Sequence, residues 1–214
     1  MQHLNMILIY LFYWPSALLL CLTSFRFKIR YYTRQIVLST LVMTQCSVLL
    51  QSFKAEFLMS LIHPICLLMC IVFFFRLRFA HSLLIAAITF CFNIVLESTL
   101  NFFLANFDYI KFVEISRNDY MIQGFILAFT NYVLAFLLHK LRVGFSFISS
   151  NHTNYKVEAF PRKLIFTTVA GCIIMTFTSF SIYFFAKLIM LIISITFFVL
   201  IGIVNLSHEK ELAD

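Results

Sequence analysis

Leu83–Leu104 reads LLIAAITFCFNIVLESTLNFFL, a long, mostly apolar run of 22 residues in which Glu97 is the single Asp, Glu, Lys or Arg. A bilayer core of about 30 Å is crossed by roughly 20 helical residues, and lipid offers no partner to a backbone N–H or C=O outside a helix. Six more runs of the same character surround this one: Met6–Phe25, Ile36–Phe53, Phe57–Phe75, Tyr120–His139, Leu164–Phe185 and Leu188–Leu206. The sequence therefore predicts an all-α protein, a polytopic transmembrane helical bundle of about seven spans over residues 1–206, with a short tail at 207–214. The last division rests on Ala186 and Lys187 alone. Merging the two final runs would leave six spans and a helix of about 60 Å, twice the bilayer core, so a tight hairpin is the expectation.

The composition agrees. Of 214 residues 62% are apolar and 12% charged, about half the charged share of a soluble domain. Phe occurs 28 times against 4 Gly and 3 Pro, so the chain is poor in the residues that build loops and rich in those that fill spans.

The cations fix an expected orientation. Arg26, Lys28, Arg30 and Arg34 share one side of the seven-span layout with Arg76, Arg78, Lys140, Arg142, Lys156, Arg162, Lys163 and Lys210. Lys54, Lys111, Arg117 and Lys187 are left for the other side, where the loop from Ala105 to Asp119 adds Asp108, Glu114 and Asp119. The positive-inside rule then places the C-terminus in the cytoplasm and the N-terminus outside, in a multi-pass protein of the cytoplasmic (inner) membrane. The net charge of +7 is accounted for by these flanking loops and by anionic headgroups. No nucleic-acid partner is expected. The expected partners are the lipid bilayer itself and a protein in or beneath the membrane, and a homo-oligomer is compatible with the sequence.

The first run carries its basic residues after the apolar segment, not before it, and no small-residue cleavage site follows, so it reads as a retained span rather than a signal peptide. All six cysteines fall inside predicted spans, where Cys behaves as a small apolar residue, and no disulfide framework is expected. The segment Lys140–Lys163 reads as a polar linker between a five-span and a two-span part.

Motifs of soluble chemistry are missing: there is no Gly-rich phosphate loop, no H-E-x-x-H, no G-x-S-x-G and no paired C-x-x-C. Neither a cofactor nor catalysis is expected.

Polar groups inside spans are expensive and carry the functional information. Asn93, Glu97 and Asn101 recur every four residues and form one narrow stripe on the fourth span, with Ser98 beside Glu97. His63 on the third span lies at matching depth, and Gln123 on the fifth is nearer the outer surface. Asn93, Glu97, Asn101, His63 and Gln123 are the expected ligand or signal pocket, with His63 as a partner for Glu97 and the helix kinked at Pro64. The competing reading makes them interhelical glue. Gln45 and Asn131, nearer the midplane, are expected to be structural.

Two other constellations point elsewhere. His63, Cys66 and Cys70 share a helical face, but a closed zinc site needs four ligands and no fourth is in reach, so no metal is expected. Arg76, Arg78, His81 and Cys91 resemble the His and Cys pair of membrane cysteine peptidases that process signalling propeptides. His81 and Cys91 are ten residues apart, about 15 Å along one helix, and a thiol nucleophile needs its base within hydrogen-bond reach.

The whole span pattern carries a broader resemblance. The opening apolar span, the basic turn Ser24-Phe25-Arg26-Phe27-Lys28-Ile29-Arg30, the His63-Pro64 element and the acidic residue in Val95-Leu96-Glu97-Ser98 are similar to the membrane sensor portion of bacterial GHKL-type, quorum-sensor-like histidine kinases. This resemblance covers roughly residues 1–206 and implies a sensor of a hydrophobic or peptide signal. It does not carry kinase activity, because the chain ends at Asp214, before any dimerisation helix or ATP-binding domain. The expected function is a non-catalytic, sensor-like or regulatory membrane protein. The alternatives are a small transporter, or a transporter subunit, using Glu97 as a proton or cation site, and a membrane cysteine peptidase.

Overall fold

A computed structural model describes residues 2–55, 58–118, 120–146, 161–184 and 188–213. Among these the chain is helical throughout: α1 (Gln2–Ser24), α2 (Thr33–Ser52), α3 (Met59–Phe74), α4 (Phe79–Leu104), α5 (Tyr109–Asn118), α6 (Tyr120–Leu141), α7 (Arg162–Phe184) and α8 (Ile189–Ala213), with one 3-10 turn at Ile29–Tyr31. Five windows are long and apolar enough to cross a membrane: Asn5–Ser24, Thr33–Ser52, Phe79–Leu104, Gln123–Leu141 and Ile189–Leu212. The apolar part of α3, Leu61–Phe74, is shorter. Several apolar helices of this kind make the chain a multi-pass membrane protein.

Each of the seven apolar runs contains a helix, and two features depart from the sequence reading. The loop expected between Ala105 and Asp119 holds α5, whose Phe112 is 2% exposed and packs with Ala105 and Ile189. The tail expected at 207–214 continues α8 as far as Ala213. The hairpin at Ala186 and Lys187 and the linker residues 147–160 lie outside the described residues.

α4 is the axis of the bundle, touching α1, α3, α5, α6, α7 and α8. Its inner surface alternates small and branched side chains, with Leu84, Ile85, Ala86, Ala87, Ile88 and Cys91 buried. The most extensive pairing joins α1 to α6, and Gly124 makes it possible: a Cβ there would stand 2.8 Å from Cγ2 of Ile9. Small residues let membrane helices approach closely, and packing replaces the hydrophobic drive that lipid removes. Gly124→Val is therefore expected to push α6 off α1 and to lower thermal stability in detergent by about 1–3 kcal/mol. Unchanged melting would show that the two helices do not meet at Gly124.

The end of the bundle that carries the basic turns is tied together. Phe145 N–H donates to the Ser24 carbonyl at 2.8 Å, and the Phe25 and Phe145 rings meet at 5.7 Å. Ser146 donates from its N–H and its hydroxyl to the Glu211 carboxylate of α8, which also faces Arg26 at 4.0 Å. Tyr32 stacks on Phe75 at 5.6 Å, joining the α1–α2 and α3–α4 turns.

Helix ends are closed without glycine. Arg26, Lys54, Arg76 and Arg142 adopt positive φ between 51° and 54° just beyond α1, α2, α3 and α6. At α1 the Arg26 and Phe27 N–H groups return to the Thr23 and Leu22 carbonyls, and at α2 Lys54 and Ala55 return to Gln51 and Leu50. These paired bonds are the Schellman closure, in which the left-handed residue is most often glycine.

Candidate functional site

α1 carries a Tyr13-Trp14-Pro15 sequence near its centre. Pro15 removes a backbone donor inside the helix, and the Ser16 hydroxyl next to it donates to the Tyr13 carbonyl at 2.6 Å. The two aromatic rings, 5.0 Å apart, face different polar networks.

Trp14, 2% exposed, serves the first. Its indole N–H donates to Ser47 Oγ of α2 at 3.0 Å, and Nε2 of His63 on α3 lies 3.0 Å from the same oxygen. Ser47 spends its own proton on the Met43 carbonyl at 2.8 Å, which makes the hydroxyl an acceptor for both neighbours and places the imidazole proton on Nε2. The His63 ring also stands edge-on to Trp14 at 4.9 Å.

Tyr13 serves the second. Asn131 of α6 donates its Nδ2 to Asn93 Oδ1 of α4 at 2.8 Å, and the Tyr13 hydroxyl reaches the same oxygen at 3.5 Å. Asn93 in turn donates to the Thr89 carbonyl at 2.8 Å. Asn131 is fully buried, yet its Oδ1 has no partner among the described residues. Glu97, one turn further along α4, lies within electrostatic reach of Tyr13. No hydrogen bond or ion pair reaches its carboxylate among the described residues.

A third network closes the Asn101 end of the stripe. Asn101 donates to Ser116 Oγ of α5 at 3.3 Å, and Gln123 of α6 donates to the Ile115 carbonyl at 3.2 Å. α5 therefore lies over the end of α4 and is held there by both amides. Asn101 Oδ1 is buried and without a partner among the described residues.

The five residues expected at the pocket thus fall into three adjoining layers. Asn93 and Glu97 lie beside Tyr13, and Asn101 and Gln123 each bond α5. His63 pairs with Ser47 rather than Glu97, and the Tyr13–Trp14 ring pair links the two sides. Asn131, expected to be structural, bonds directly to Asn93. Gln45 is exposed on the outer face of α2. Tyr13, Trp14, Ser47 and Ser116 complete the networks and were not singled out from sequence. The signal for the first two was an aromatic pair with polar tips directly before a proline inside a span.

The other constellations resolve differently. Among the described residues no group of three or more His, Cys, Asp or Glu side chains could hold a metal ion. Cys66 lies 3.6 Å from Cys46 of α2, sulfur to sulfur. Cys91 is buried among Ala87, Phe90, Ile94, Cys172 and Leu200, with His81 in the first turn of the same helix.

A comparison with protein-family models, with curated proteins and with solved structures finds no match.

Proposed function

We propose that the chain is a non-catalytic sensor or regulator of the cytoplasmic membrane, which perceives a hydrophobic or peptide signal at the layer formed by Tyr13, Asn93, Glu97 and Asn131. The observation that carries this reading is an acceptor left over inside the buried Tyr13–Asn93–Asn131 network: Asn131 Oδ1 lacks a donor, and Glu97, within electrostatic reach of Tyr13, lacks a counter-ion among the described residues. A network serving only as glue consumes its donors and acceptors, because an unmet polar group in an apolar interior is costly. Both free groups accept hydrogen bonds, so the signal that suits them brings donors, such as the amides or the amino terminus of a short peptide.

α4 gives the response a route, since it touches six other helices. Its outer end sits under α5, and its first turn lies beside the basic turns. In this reading seven helices cross the bilayer, with the basic turns in the cytoplasm as the positive-inside rule directs. The likeness to the sensor portion of GHKL-type kinases fits the same role, with the output passed to a protein partner. A transporter is the second reading, favoured by the lone Glu97 carboxylate.

Replacing the chain in its native membrane by Glu97→Gln or Asn131→Leu tests the proposal. Each variant is expected to reproduce the transcriptional effect of deleting the protein while remaining in the membrane at normal level. A wild-type response from both would rule out the pocket. Proton or sodium flux in proteoliposomes that disappears with Glu97→Gln would instead establish transport.

A further inference from the structure

Gln45 occupies an unusual position. It lies within three residues of the midpoint of α2, hence about 4 Å along the axis from the centre of that span, and its side chain is exposed. No hydrogen bond within the chain reaches its carboxamide among the described residues. Exposed hydroxyls elsewhere in the bundle avoid this predicament by folding back on their own helix: Thr99 bonds the Val95 carbonyl at 2.7 Å and Ser194 the Met190 carbonyl at 2.9 Å. Gln45 makes no such bond and presents both a donor and an acceptor to hydrocarbon, where each unmet group is costly.

Its neighbours on the helix surface are apolar. Leu38, Leu41, Val42 and Leu49 are 49%, 52%, 42% and 51% exposed. At 100° per residue, positions 38, 41, 42, 45 and 49 fall within one stripe about 100° wide. The spacing follows the repeat of alternately three and four residues that lets two helices pack along a shared seam, and a lone polar side chain in such a seam sets register and partner number.

We propose that this stripe is the interface for a second copy of the same chain, with α2 packed against α2 about a two-fold axis near Gln45. A carboxamide is self-complementary, one NH2 donating to the other carbonyl. A two-fold axis brings two identical carboxamides together at the same depth without any other residue having to adapt. The remaining inner faces of the bundle are unaffected, because Gln45 faces away from α1 and α3. The inference requires only that α2 spans the membrane and stands apart from the signal-pocket reading.

The test is the monomer–dimer equilibrium of the full chain labelled with donor and acceptor dyes and diluted in lipid vesicles. Wild type is expected to dimerise, and Gln45→Leu to weaken dimerisation by about five- to thirty-fold. Leu41→Ala and Leu49→Ala should also weaken it. Gln45→Asn should restore part of the loss, and Phe129→Ala, on the exposed face of α6, should leave dimerisation unchanged. Gln45→Leu removes no bond within the chain, so its fold is retained and an unaltered thermal melt checks this. A wild-type chain that stays monomeric at every dilution would overturn the proposal. So would a Gln45→Leu dimer as tight as wild type, or equal weakening by Phe129→Ala.

Discussion

Trp14→Ala is expected to destabilise the bundle more than any other single truncation, by about 3–5 kcal/mol, read as a fall in the melting temperature of the detergent-solubilised protein. The indole is 2% exposed and wedged among four helices: it belongs to α1, bonds Ser47 of α2, stands edge-on to His63 of α3 and meets Phe90 of α4 at 6.4 Å. Truncation opens a cavity where those helices converge and leaves Ser47 and His63 without their third member. Trp14→Phe separates the two contributions. It keeps an aromatic ring in the pocket and gives up the N–H and part of the bicycle, so its cost should be about 1–2 kcal/mol. Equal effects from the two substitutions would mean that the hydrogen bond, and not the packing, holds the node together.

Gly144→Ala is the second large effect. Gly144 has φ of +146°, and a Cβ there would stand 2.5 Å from the Ser24 carbonyl oxygen and 3.1 Å from that of Thr23. Both are backbone atoms at the end of α1 and cannot move aside cheaply. The backbone strain alone is about 1–3 kcal/mol, and the clash adds to it. Relief comes from lifting residues 143–146 away, which breaks the Phe145–Ser24 bond and the Ser146–Glu211 contacts. Trypsin should then cleave after Arg142 about tenfold faster or more, since local opening controls cutting and each 1.4 kcal/mol is tenfold. Cleavage at the wild-type rate would show that the segment is not docked on α1.

The helices were legible because their signal is local: an apolar run of span length forms a helix whatever its neighbours. α5 escaped notice for the same reason in reverse. Lys111, Glu114 and Arg117 give it the look of a polar loop, while Phe112, Val113 and Ile115 supply an apolar face only when wound into a helix. The stripe of Asn93, Glu97 and Asn101 followed from spacing alone. Its partners did not, since Tyr13 and Asn131 reach Asn93 across 80 and 38 residues of chain. Nothing in a single sequence states that α1 lies against α6. Gly124 in an otherwise bulky span was the one local hint of that close approach, and the assignment of His63 to Glu97 failed because equal depth does not establish a shared face.

The cations that close α1, α2, α3 and α6 have a mechanical consequence. In the proposed seven-span arrangement Arg26, Lys54, Arg76 and Arg142, which stand just beyond the last turns of their helices, would also lie at the edge of the hydrocarbon, so that one residue would set the length of the element and its vertical position. Sliding such a helix by a single turn toward the membrane interior would drag a guanidinium or ammonium about 5 Å deeper. Piston strokes are thereby resisted, and rotation about the axis and tilt remain the inexpensive motions. For α1 a small rotation moves Tyr13 and Trp14 in concert, trading contact with Asn93 against contact with Ser47.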